Sequence, residues 1–222
     1  MSKQSTAVKQ HAYHPLEERL NVLSHAAGLV LGAVGFVFLL LRASSLGNAW
    51  HVASFGIFGG SLVALYAAST IYHSSKDELR RARLRTLDHA AIYVLIAGTY
   101  TPFTLITLQG VVGWTLFGIT WGMAAVGITL KLFFTGRYDL VSTLMYVFMG
   151  WVIVFAIKPL ATALSSSGLI WLIIGGLAYT LGAVFYSIRK LPYGHAIFHF
   201  FVLFGSACHF VSVYFFVLPS PV

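Results

Sequence analysis

Seven uninterrupted apolar runs constrain this chain more than anything else in it. They lie near residues 20–41, 51–72, 87–108, 111–130, 140–157, 169–188 and 195–217. Each is long enough to cross about 30 Å of hydrocarbon as a helix. The third and fourth nearly touch, with only Gln109-Gly110 between them. Fused, they would be far too long for one helix, so seven spans are expected rather than six. In hydrocarbon every backbone N–H and C=O must be satisfied internally, and runs of this length do that as helices. The expected fold is an all-α membrane protein, a seven-transmembrane-helix bundle (20–222) behind a short polar cytoplasmic segment (1–19). Composition excludes a soluble alternative, because 9% of the 222 residues are charged and 58% are hydrophobic. A soluble domain carries roughly a quarter charged residues.

The cations set the expected orientation. With the N-terminus inside, the inner segments hold Lys3, Lys9, Arg19, Lys76, Arg80, Arg81, Arg83, Arg85, Lys131, Arg137, Arg189 and Lys190, and the outer segments only Arg42 and Lys158. That asymmetry is the positive-inside pattern, with the C-terminus external. It also accounts for Arg80–Arg85 as a loop signal, with no nucleic-acid partner required. The segment Met1 to Arg19 lacks the short apolar core of a secretory signal. Cys208, the one cysteine, lies in an apolar run and forms no internal disulfide. The expected location is the plasma (inner) membrane, multi-pass, with lipid as the surrounding partner.

Local signals agree with this layout. Pro15 with Glu17 and Glu18 reads as a helix start, with carboxylates at the positive end of the helix dipole. Pro192-Tyr193-Gly194 reads as a turn into the last span. Pro102 has no N–H to give the carbonyl of Gly98 and is expected to distort the third span. Gly28, Gly32 and Gly35 suit close helix approach.

Ionisable groups inside spans are expensive and mark function. His195-Ala-Ile-Phe-His199 places two imidazoles on one helical face, about 6 Å apart along the axis. By the topology His73 ends the second span, and Asp88 opens the third, at the same inner boundary. Asp88 is also the one acid within a run. Three histidines and a carboxylate at one depth are the donor set of a zinc site with an open water position. His73, His195 and His199 are the expected ligands. Asp88 either completes the shell or holds a water, and Ser69, one turn below His73, is placed to hydrogen-bond that water or a substrate carbonyl. His25 shares a face with Asn21 and is expected to make structural hydrogen bonds. His89 points about 100° away from Asp88, and His209 is expected to lie too deep to join the site.

The segments Ser69-Thr-Ile-Tyr-His73, Leu87-Asp88-His89-Ala-Ala-Ile-Tyr-Val-Leu-Ile-Ala-Gly-Thr-Tyr-Thr-Pro-Phe103 and His195-Ala-Ile-Phe-His199 resemble bacterial hemolysin III proteins. The start Glu17-Glu18-Arg19-Leu20-Asn21 with His25 resembles their first helix, and the likeness covers essentially the whole chain. That group is similar to the progestin and adipoQ receptors and, further off, to alkaline ceramidases. The resemblance implies a seven-helix bundle with Zn2+ near the inner face, the family's histidines falling on His73, His195 and His199, its aspartate on Asp88 and its serine on Ser69. It also implies hydrolysis of a lipid amide, so the expected function is a zinc-dependent hydrolase of a lipid acyl amide or ester in membrane lipid homeostasis. Two other readings stay open: a non-catalytic lipid or fluidity sensor with structural zinc, and a cytolytic membrane protein. The substrate lipid and the oligomeric state are left open.

Overall fold

In a computed structural model, residues 14–135, 138–188 and 190–218 are described, and they form seven helices long and apolar enough to cross a membrane. These are α1 (Pro15–Leu46), α2 (Ala49–Ser74), α3 (Glu78–Leu108), α4 (Gly110–Phe134), α5 (Asp139–Ala163), α6 (Ser166–Ser187) and α7 (Gly194–Val217). No strand occurs among the described residues. Lys3, Lys9, Arg137 and Arg189 of the orientation argument lie outside the described residues.

Each helix packs against the next in sequence, and α1 closes the ring against α7. The chain reverses between α3 and α4 at Gln109 and Gly110, both with positive φ (48° and 52°). These two left-handed residues are what separate two runs that otherwise look continuous. The closure of the ring depends on a small residue. A Cβ at Gly28 of α1 would come within 2.7 Å of both Tyr66 of α2 and Leu203 of α7.

Two regular helices are interrupted where the sequence leaves backbone groups short. After Pro102 the third span continues as a π-helical turn over Phe103–Leu108, a local departure from α-geometry directly beyond a residue that has no N–H to give. The hydroxyl of Thr104 donates to the carbonyls of Tyr100 and Thr101 in the same region. In α5, Val152–Ala156 tightens to a 3-10 stretch. Here Tyr100 of α3 donates to Gly150 O at 2.8 Å and accepts from Ile153 N at 2.9 Å, so one phenol serves both sides of the break.

The helices also reach beyond the expected hydrocarbon limits. The arginine-rich stretch, expected as a loop, forms the first turns of α3. Asp77 caps it by accepting from Arg80 N at 2.7 Å, which satisfies an otherwise orphan donor. Lys131, expected in an inner connection, instead lies within α4 and is 3% exposed. A cavity of about 180 Å³ lies inside the bundle, with walls drawn from α3, α5, α6 and α7 among others.

Candidate metal centre

The end of α2 and the start of α7 bring three histidines together, two of which, His195 and His199, line this cavity. His73 stands in the last turn of α2, and His195 and His199 in the first two turns of α7. The turn into α7 bends at Tyr193, which takes a left-handed conformation (φ 57°) directly before the helix starts. Glu17 of α1 then accepts the backbone N–H of His195 at 3.1 Å, placing a carboxylate where α7 has unpaired amides and a positive dipole end. The i,i+4 spacing brings the two α7 rings together, with centroids 4.6 Å apart, and His73 meets each of them at 5.0 Å.

All three imidazoles are buried, and one ring nitrogen from each lies within 4.8 Å of the others. The Nε2 atoms of His73 and His195 are 3.2 Å apart. Two nitrogens each at about 2.05 Å from a tetrahedral ion would be separated by about 3.4 Å. The far sides of the His73 and His199 rings are occupied in a consistent way. His73 Nδ1 lies 3.0 Å from Glu18 Oε2, so its N–H donates there and Nε2 keeps its lone pair. Ser24 Oγ donates to Asn21 O at 3.1 Å and lies 3.4 Å from His199 Nδ1, which leaves that hydroxyl to accept the Nδ1–H of His199. These contacts select the tautomer a metal requires, as ligand histidines in metal sites usually do by donating to a carboxylate or another acceptor. The donor set therefore fits a zinc ion.

Glu18 is itself held firmly. Its Oε2 also accepts from Asn21 Nδ2 at 3.2 Å, and its Oε1 accepts from Arg81. Arg81 in turn donates to Ser75 O at 3.1 Å and stacks its guanidinium 4.9 Å over the Tyr72 ring. The start of α1, the end of α2 and the start of α3 are thus tied through one carboxylate.

Asp88 and Ser69 line the same cavity as His195 and His199. Asp88 is buried but falls outside the set of donor atoms mutually within 4.8 Å, a position suited to a group acting through water rather than as a ligand. The hydroxyl of Ser69 is buried and lies beside the Asp88 carboxyl. His25, expected to make structural hydrogen bonds, makes none through either nitrogen among those residues. Instead its ring stacks on His199 at 3.5 Å, nearly parallel, with Tyr66 edge-on at 5.1 Å. His89 lines the cavity wall but stands apart from the triad, and His209, deeper in α7, pairs through Nε2 with Leu172 O at 3.1 Å. Glu17, Glu18, Ser24 and Arg81 are the supporting residues that sequence reasoning passed over. Their one available signal was an acidic pair shortly before a polar helical face.

Residues 13–210 match the family model described as haemolysin-III related. The chain is 45% identical over 205 residues to a hemolysin-3 homolog of Bacillus subtilis, covering 92% of this chain and 96% of that one. It is 47% identical over 204 residues to hemolysin-3 of Bacillus cereus, covering 92% and 93%. Further off, it is 31% identical over 214 residues to human monocyte to macrophage differentiation factor, covering 92% and 86%, a relative on the adipoQ receptor side. With the match running through all the helices that build the histidine cluster, the chain belongs to the haemolysin-III family of multi-pass membrane proteins.

Proposed function

We propose that this protein is a zinc-dependent hydrolase of a lipid acyl amide or ester, lying in the plasma membrane with its N-terminus and the histidine cluster towards the cytoplasm. The reading is carried by one observation. Three buried imidazoles each bring one nitrogen towards a common point, two of them with the opposite nitrogen engaged, beside a cavity walled largely by apolar side chains. A zinc ion held by His73, His195 and His199 supplies a Lewis acid and lowers the pKa of water towards about 7. The chain's own groups supply the rest. Asp88 accepts the proton of the attacking water and returns it to the departing amine or alcohol, and Ser69 donates its hydroxyl to the substrate carbonyl oxygen. Apolar side chains such as Leu95, Val202 and Leu172 receive the acyl chain and keep bulk water out.

Purified protein is expected to hold about one zinc per chain, and His195→Ala combined with His199→Ala to lose it. Zinc unchanged in that double variant overturns the centre. Zinc-loaded protein is expected to release free fatty acid from lipid amides or esters. Asp88→Asn is expected to keep the metal while losing about 10²–10⁴ in rate, the usual share of a positioned proton acceptor. Absence of fatty-acid release from the zinc-loaded protein overturns the hydrolase.

A further inference from the structure

The cavity has a second polar corner that the metal centre does not use. Lys131 of α4 lines its wall while being 3% exposed. Among the described residues, the carboxylate in ion-pair range of its ammonium is that of Asp139, and the separation is 4.0 Å, beyond hydrogen-bond reach. The other oxygen of that carboxylate, Oδ2, accepts from Arg85 Nη2 of α3 at 3.1 Å, while Oδ1, the oxygen that faces Lys131, has no hydrogen-bond partner among the described residues. Two cations therefore share one anion, and the lysine is the one left short. The Arg85–Asp139 pair alone is enough to tie α3 to the start of α5. A buried ammonium without an acceptor is costly in a membrane interior, and such groups face a cavity or a partner.

We infer that Lys131 forms an anion subsite in the cavity wall that takes the phosphate or carboxylate headgroup of an anionic amphiphile, whose chain runs along the apolar remainder. The inference rests on the proposed function only in taking the cavity as a lipid site; it requires neither metal nor turnover. It narrows the ligand class from any acyl lipid to one that carries anionic oxygens near the chain's polar end. An oxygen anion there gives the ammonium the acceptor that Asp139 does not reach.

The test compares tetradecyl phosphate with tetradecanol, titrated calorimetrically into the purified full-length protein in uncharged detergent. Tetradecyl phosphate is expected to bind the tighter of the two. Lys131→Gln is expected to weaken it by about tenfold or more, the range for losing a hydrogen bond to a charged group, and to leave tetradecanol unchanged. Equal affinity of the variant and the parent for tetradecyl phosphate overturns the subsite. Sodium phosphate alone is expected to bind far more weakly; affinity matching that of tetradecyl phosphate overturns the lipid headgroup as the source of the anion. Binding is expected to survive treatment with EDTA. Its loss with EDTA overturns the lysine as the anion's partner and assigns that part to the metal centre. Should Lys131→Gln fail to fold, Asp139→Asn decides, because it removes the competing carboxylate and leaves both cations. That variant is expected to tighten tetradecyl phosphate several-fold, and unchanged or weaker binding overturns the subsite. Zinc content, read separately, distinguishes failure here from failure of the histidine centre.

Discussion

Replacing Glu18 by Gln tests whether the histidine cluster is a built metal site or three rings that happen to meet. The substitution keeps the side chain's length and leaves an amide oxygen able to accept the Nδ1–H of His73, now 3.0 Å from the carboxylate. What it removes is charge. A hydrogen bond to a charged acceptor contributes about 1.5–3 kcal/mol and a neutral one about 0.5–1.5, so the change costs about 1–1.5 kcal/mol of support for His73 as a ligand. Converted, that is a loss of roughly five- to fifteenfold in zinc affinity, at the lower end of what supporting residues of metal ligands typically contribute. Competition against a chelator of known affinity measures it directly on detergent-solubilised protein. Arg81→Gln serves as the graded control. It removes the cation on the other oxygen of Glu18, but both partners of that pair are partly exposed (17% and 21%), where an ion pair contributes about 1 kcal/mol or less. Its expected effect is threefold or so. Zinc affinity of Glu18→Gln within twofold of the parent refutes the reasoning, as does a larger loss from Arg81→Gln than from Glu18→Gln.

The remaining expectations concern pH and the packing that holds the site. Zinc affinity should decline on acidification, because each of the three ligands must be a neutral imidazole and protons compete with the ion for the same nitrogens. Affinity that stays constant down to the lowest pH at which the protein remains folded refutes the histidine ligand set. Gly28→Ala should destabilise the bundle by about 1–3 kcal/mol, the usual range for overpacking. The new methyl would meet the Tyr66 ring at 2.7 Å, and that ring is pinned by its own hydrogen bond to Ser206 at 2.7 Å; an unchanged thermal midpoint counts against so tight a seam. Tyr100→Phe should lower stability by about 1–3 kcal/mol, since it strips a partner from both Gly150 O and Ile153 N at the break in α5. Thermal unfolding in detergent reads both variants.

Much of the fold was open to sequence reasoning because the bilayer imposes a length on every apolar run and leaves helices as the way to satisfy the backbone. The one ambiguous junction was resolved by Gln109-Gly110, and both residues adopt the left-handed conformation that a reversal there requires. The coming together of His73, His195 and His199 was open to the same reasoning. An i,i+4 pair fixes two rings on one face, and the flanking cations assign a depth to the third. Asp88 and Ser69 share the cavity with the α7 histidines for the same reason of matched depth. Helix ends were less readable. Asp77 caps α3 ahead of its arginines, so a run of like charges that suggests a loop becomes helix. Likewise α4 continues past the hydrophobic limit, and Lys131 turns inward where a connection was expected.

The supporting residues were hidden for a different physical reason. Glu17 and Glu18 already have a complete local explanation, as acids in the first turn of a helix that starts with proline. Nothing in that pattern signals that Glu18 also meets a histidine 55 positions away and an arginine 63 positions away. His25 shows the converse. Its place on a polar face with Asn21 suggested hydrogen bonding, but a ring that stacks flat on His199 at 3.5 Å is held by its π-face, which no donor–acceptor pattern in sequence encodes. Ligands are readable because a metal demands several donors at matched depth. The groups that orient those ligands need only one good contact each, and any residue with a plausible local role can provide it. The first helix bears this out: it gives the candidate centre no ligand, yet Glu17, Glu18, Ser24 and His25 each touch one of the three histidines. Substitutions along that face should therefore change metal affinity and geometry while leaving the donor set intact.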